Sequence, residues 1–105
     1  MSADAYLIGV SGLFENQKFK FSTRVIVGRD KTKCNIVFPE SYDGISAVHC
    51  EVKISGGIAV LKDYGSTCGT YLPDGVRLEP GVPVVLCSGG RFWVGSKGNI
   101  FEVRY

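Results

Sequence analysis

Apolar and polar residues alternate at a period of two along most of this chain, in short runs that turn residues interrupt. Lys18-Phe19-Lys20-Phe21, His49-Cys50-Glu51-Val52-Lys53-Ile54 and Phe101-Glu102-Val103-Arg104-Tyr105 are the clearest runs. A strand points successive side chains to opposite faces, so each run reads as a half-buried strand. The run from His49 turns Cys50, Val52 and Ile54 to one face. Further runs fall at Tyr6–Val10, Arg24–Val27, Asn35–Phe38, Ile58–Leu61, Tyr71–Leu72, Val82–Cys87 and Phe92–Gly95. No segment sustains a helical period. Between the runs stand Ser11-Gly12, Ser55-Gly56-Gly57, Pro73-Asp74-Gly75, Glu79-Pro80-Gly81 and Ser88-Gly89-Gly90, all of them turn chemistry. The pattern predicts an all-β fold, an antiparallel β-sandwich of about ten to eleven short strands.

At 105 residues the chain is expected to form one domain over 1–105, with its core from about residue 6 to 105. A net charge of +2 is too small for a general nucleic-acid footprint. No apolar run is long enough to span a bilayer. The four cysteines, Cys34, Cys50, Cys68 and Cys87, form no C-x-x-C pair, and His49 is the single histidine. That spacing argues against a metal site. Reduced thiols and a cytoplasmic setting are expected, with Cys50 and Cys87 in the core.

The block Asp63-Tyr64-Gly65-Ser66-Thr67-Cys68-Gly69-Thr70 combines two glycines with hydroxyls, a carboxylate and a thiol between two apolar runs. Such a turn presents hydroxyls and main-chain N–H groups to an oxyanion or a peptide backbone. Two other clusters precede it. Gly28-Arg29 ends a strand, and Ser46-Ala47-Val48-His49 opens the next long one. From Gly28 to His49 only one short strand is predicted, so long loops gather where binding residues tend to sit. Lys31 and Lys33 add positive charge beside Arg29. Arginine carries a planar fork of donors that stays charged, which suits it to phosphate. A Ser46–His49–Asp63 or Cys68–His49 hydrolase is the rival reading. The chain has no G-x-S-x-G elbow, and a strand that included Ser46 and His49 would put them on opposite faces. No catalytic residue is assigned.

In this order the three clusters resemble the forkhead-associated (FHA) domain, a phosphothreonine-peptide-binding β-sandwich of FHA/SMAD-like fold. The family pattern is Gly-Arg, then S-x-x-H, then D-x-x-S-x-N-G-T. Here it reads Gly28-Arg29, Ser46…His49 and Asp63…Ser66…Gly69-Thr70, with Leu86 and Gly95 fitting later strands. The resemblance implies that Arg29 contacts phosphate. It implies that Ser46 holds a phosphate oxygen with its hydroxyl and backbone N–H, and that Thr67 adds a contact. It makes His49 a brace for the loops, with Gly28, Asp63, Ser66 and Gly69 in structural support. Ala47, Cys68 and Lys33 fall where the peptide is contacted. A charge-assisted hydrogen bond contributes roughly 1.5–3 kcal/mol. Three or four would supply much of a micromolar affinity, about −8 kcal/mol.

Two positions depart from the family. Cys68 stands where an asparagine amide usually bonds the peptide backbone, and a thiol is a weak donor and acceptor. Ala47 stands where a longer polar side chain is common. The expectation is a monomeric, non-catalytic module without cofactor, metal, nucleic acid or membrane, whose partner is a threonine-phosphorylated protein or peptide. The alternative is a phosphate-independent scaffold module of the same fold.

Overall fold

The computed structural model describes residues 4–96 and 98–105. Ten strands form: β1 (Ala5–Ser11), β2 (Lys18–Phe21), β3 (Arg24–Gly28), β4 (Ile36–Val37), β5 (Val48–Ser55), β6 (Ile58–Asp63), β7 (Thr70–Tyr71), β8 (Val84–Leu86), β9 (Arg91–Val94) and β10 (Ile100–Arg104). They make two five-stranded sheets, ordered β2-β1-β10-β9-β7 and β4-β3-β5-β6-β8. Every predicted run overlaps a strand. Val82 and Pro83 drop out of β8, and Leu72 drops out of β7. The arrangement is a β-sandwich, as the alternation implied. It is not wholly antiparallel, because β3 and β4 pair in parallel through Val27↔Ile36 and Gly28↔Val37. The loop between these two strands is long enough to return the chain in the same direction.

The core lies between the sheets. Leu7, Phe92, Val94, Phe101 and Val103 of one sheet face Val25, Val27, Cys50, Val52 and Leu61 of the other, all fully or almost fully buried. Phe14 closes one side, edge-on to Phe38 at 4.8 Å and to Phe19 at 5.5 Å. Each buried Val, Leu or Phe side chain contributes roughly 1.5–3 kcal/mol relative to exposure.

Strict alternation fails in β5, where His49, Cys50, Glu51 and Val52 are all buried. Glu51 is pinned on the outer face by Tyr64 Oη at 2.9 Å and Arg24 Nη1 at 3.3 Å. His49 is the extra residue of a bulge: Val27 pairs with Cys50 and Gly28 with Val48, leaving His49 without a ladder partner on β3. A bulge re-aims its side chain, and this one sends an imidazole into the loops instead of onto the sheet. Cys50 is in the core as expected, but Cys87 is exposed. β8 ends at Leu86, and Cys87 lies in a turn where its carbonyl accepts from Gly90 N–H.

Candidate functional site

Three loops meet at one end of the sandwich, 29–35, 38–47 and 64–69, because β3 ends and β5 begins where β6 ends. Main-chain bonds stitch the first two together. Arg29 N–H and Asp30 N–H both donate to the Ala47 carbonyl at 3.0 Å. Gly28 permits this approach, since a Cβ there would lie 2.3 Å from the Ala47 oxygen and 2.7 Å from Cys34 Sγ.

Arg29 is held as a fork. Its Nε donates to the Ile45 carbonyl and its Nη1 to the Glu40 carbonyl, the latter at 2.7 Å. Both partners are neutral oxygens, so the cation keeps its full charge, and the rest of the guanidinium edge has no protein acceptor among the described residues. It lines an open hollow of about 570 Å³ with Asp30, Lys31, Thr32, Glu40 and Ala47. Lys31 reaches this hollow; Lys33 does not line it. The Asp30 carboxylate is occupied by the hydroxyl of Thr32 at 2.6 Å and its N–H at 2.9 Å, which hold its pKa low.

Ser46 divides its groups between two neighbours. Its backbone N–H donates to His49 Nδ1 at 3.1 Å, so it is not free for a phosphate oxygen as the resemblance implied. The bulge causes this by turning the imidazole back beneath residue 46. Its hydroxyl accepts from Thr67 N–H at 3.1 Å and keeps its own proton for an outside acceptor. The Thr67 and Cys68 side chains are exposed beside it.

His49 is fully buried and bridges two loops. With Nδ1 accepting from Ser46, Nε2 carries the proton and donates to the Gly69 carbonyl at 2.8 Å. Burial pushes its pKa below the ordinary 6.5, against the opposing effect of the Gly69 bond. Both ring nitrogens are committed to main-chain groups, so neither is free to act as base for Ser46 or Cys68. Ser46 and His49 are therefore neighbours, not residues on opposite faces, because Ser46 lies before the strand begins.

The 64–69 loop is built on Asp63. One carboxylate oxygen accepts from Gly65 N–H and Ser66 N–H, both at 2.9 Å. The other accepts from the hydroxyls of Ser66 at 2.6 Å and Thr70 at 2.7 Å. Burial raises the pKa of this group, but the four bonds outweigh it and hold the carboxyl below its usual value. Ser66 Oγ in turn accepts from Gly69 N–H at 3.1 Å.

Arg77 belongs to this end of the molecule and carries no motif that marks it. The Pro73-Asp74-Gly75 turn brings it opposite Tyr71 as a bridge partner. Its Nη2 donates to the carbonyls of Ser66 at 3.2 Å and Thr67 at 3.1 Å. Gly69, at φ +91°, makes room for it: a Cβ there would lie 2.6 Å from Arg77 Nε and 2.9 Å from the Tyr71 ring. The only signal in the sequence was the turn itself, which fixes which flanking residues face each other.

The model of the FHA domain matches residues 25–95. No curated protein sequence matches the chain. The solved FHA domain of a hypothetical protein from Arabidopsis thaliana is similar at 25% identity and a TM-score of 0.83, over 99% of this chain and 86% of that one. A domain from a structural and functional analysis of phosphothreonine-dependent FHA domain interactions is similar at 23% identity and a TM-score of 0.73, over 98% and 97%. Mycobacterium tuberculosis EmbR, in complex with a low-affinity phosphopeptide, is similar at 19% identity and a TM-score of 0.76, over 97% of this chain and 24% of that one. With a match over residues 25–95 and a sandwich of the same architecture, the chain belongs to the FHA-domain family.

Proposed function

We propose that this domain is a non-catalytic, monomeric binding module for threonine-phosphorylated protein segments, acting in the cytoplasm. The observation that carries the reading is the Arg29 fork. Two carbonyls fix the guanidinium, no carboxylate among the described residues neutralises it, and it opens into the hollow with Lys31 and Ala47, while its own backbone N–H meets the Ser46 carbonyl and Ser46 Oγ meets Thr67. A fixed arginine loses less freedom on binding than a mobile one, so more of each charge-assisted bond survives as affinity. The relatives with phosphothreonine-dependent interactions and a bound phosphopeptide support the same reading. Arg29, Ser46 and Thr67 take the phosphate. Ala47, Cys68 and Lys33 border the peptide, and Lys31 lines the hollow beside Arg29.

Calorimetric titration with a pool of phosphothreonine peptides tests this. Binding is expected for the wild type and a loss of about tenfold or more for Arg29→Ala, the size of one or more charge-assisted bonds. Unchanged binding by Arg29→Ala overturns it.

One observation favours a second reading. Ser46 N–H is already spent on His49, and Cys68 offers no amide to a peptide, so the phosphate and peptide contacts are both reduced. A phosphate-independent scaffold of the same fold fits that thinning. Partner capture that survives phosphatase treatment would favour the scaffold.

A further inference from the structure

The five arginines divide into two groups. Arg24, Arg91 and Arg104, on the outer sheet faces, each pair with a glutamate, at Glu51 or Glu102. Arg29 and Arg77 have no carboxylate within ion-pair distance among the described residues, and both are oriented by pairs of main-chain carbonyls. These two stand at the loop end of the sandwich. The acidic residues nearest Arg77 in sequence form no ion pair with it: Asp74 accepts from Val76 N–H at 3.1 Å, and Glu79 makes no ion pair among the described residues.

Arg77 is therefore a second fixed and unneutralised cation. Nη2 is used on the Ser66 and Thr67 carbonyls, while Nε and the Nη1 pair have no acceptor among the described residues. The residue is exposed, and the Tyr71 ring beside it stacks on Trp93 at 4.0 Å and 10°. Thr67 joins the two cationic positions. Its N–H meets Ser46 on the Arg29 side and its carbonyl meets Arg77. An extended peptide passing Thr67 runs by both.

We propose that Arg77 forms a second anion subsite, which selects an acidic side chain a few residues from the phosphothreonine. This rests on the phosphopeptide reading and narrows the ligand to an acidic phosphopeptide. The positive charge at Arg77 takes over anchoring at the place where Cys68 supplies no amide.

The test is fluorescence anisotropy with phosphothreonine peptides that carry Glu, phosphoserine or Ala singly at each position from −4 to +4, about 13 Å of extended chain either way. Glu at one or two adjacent positions is expected to tighten binding about three- to tenfold, with phosphoserine there at least as effective. Arg77→Gln retains donors for the Ser66 and Thr67 carbonyls but carries no charge. It is expected to lose the acidic preference and keep phosphate dependence, while Arg77→Lys retains part of the preference. A gain from phosphoserine alone assigns the subsite to a second phosphate rather than a carboxylate and still supports it. Equal binding of acidic and neutral peptides by the wild type, or a preference that survives in Arg77→Gln, overturns the subsite alone. Absence of phosphate dependence in the wild type overturns both readings.

Discussion

The backbone N–H of Ser46 donates to Nδ1 of His49 at 3.1 Å, and through this bond the loop that offers the Ser46 hydroxyl is tied to the imidazole. The other ring nitrogen holds the Gly69 carbonyl at 2.8 Å, in the loop that carries Thr67. The buried histidine fixes the distance between the two loops with both ring nitrogens spent on main-chain groups. It does so only when neutral, because an imidazolium has no lone pair for Ser46 N–H.

That requirement gives a pH dependence. His49 titrates below its ordinary 6.5 in the folded protein because it is buried. The unfolded chain therefore binds a proton at higher pH than the folded one, and stability rises with pH across the interval. The stabilising contribution is fully present above about 6.5 and is lost as pH falls through the depressed folded value. His49 is the only histidine, so denaturant titrations between pH 7.5 and 5 report on it. Wild type is expected to lose stability on acidification and His49→Gln to show a flat profile over the same range. Parallel profiles would contradict the assignment.

Asp63 supports the other wall. Its carboxylate accepts four bonds, and an amide replaces one acceptor oxygen with a donor. Asp63→Asn is expected to cost about 2–4 kcal/mol in urea unfolding at pH 7, the range for leaving one or two buried donors unsatisfied. The wild-type advantage is present above pH 3.8, the ordinary carboxyl value, and lost as pH falls through the lower folded value. A variant as stable as wild type at neutral pH would show that the loop does not depend on the charge.

The strands were legible because alternation and turn residues are local signals, and β1 to β10 each coincide with a run of the sequence. The placement of Arg29 and Ser46 on adjoining loops at one end of the sandwich was legible because three short motifs stand in order. What escaped depends on contacts between distant segments. The bulge that buries His49 beside Cys50 comes from the register of β3 on β5, which no window of β5 contains. Cys87 looks like a core residue in an apolar run, but β6 pairs only with Val84–Leu86 and releases it. Arg77 is an ordinary turn-flanking cation until the 64–69 loop is laid across it.

Gly28 is the point where two loops approach closest. Gly28→Ala would push a methyl against the Ala47 carbonyl and Cys34 Sγ, at 2.3 and 2.7 Å. The carbonyl also accepts Arg29 N–H and Asp30 N–H, so it cannot retreat without breaking both. Thermal or denaturant melts are expected to show a loss of about 1–3 kcal/mol, as for overpacking elsewhere. Binding of a phosphothreonine peptide should weaken as well, because Arg29 shifts with its own N–H. A variant with wild-type stability and binding would place the methyl in space the structure does not show.

The thiols separate cleanly by burial. Cys68 and Cys87 are exposed, while Cys34 and Cys50 are buried and burial raises the pKa of both. Thiolate is the reactive form, so the buried pair is protected twice, by access and by protonation. Mass spectrometry after brief maleimide treatment is expected to find label on Cys68 and Cys87 only, and on all four after unfolding. Rapid labelling of Cys50 in the native protein would contradict the core placement.

Cys68 is the position at which the 64–69 loop departs from the family pattern. An asparagine there offers a carbonyl oxygen and an amide with two donors, enough to bond an extended peptide backbone twice; the thiol offers neither with comparable strength. The loop already has the shape the family pattern requires, since Asp63, Ser66 and Gly69 hold it through bonds that do not involve the Cys68 side chain. Cys68→Asn therefore needs no rearrangement of its neighbours. Two added main-chain bonds at roughly 0.5–1.5 kcal/mol each amount to roughly five- to a hundredfold tighter binding of a phosphothreonine peptide. Phosphate dependence should remain, because Arg29 and the Ser46 hydroxyl are untouched. Calorimetry on wild type and Cys68→Asn with one peptide, phosphorylated and not, measures both quantities. An unchanged affinity would mean that the peptide does not pass over this loop, and that Arg77 and Thr67 meet solvent instead of ligand.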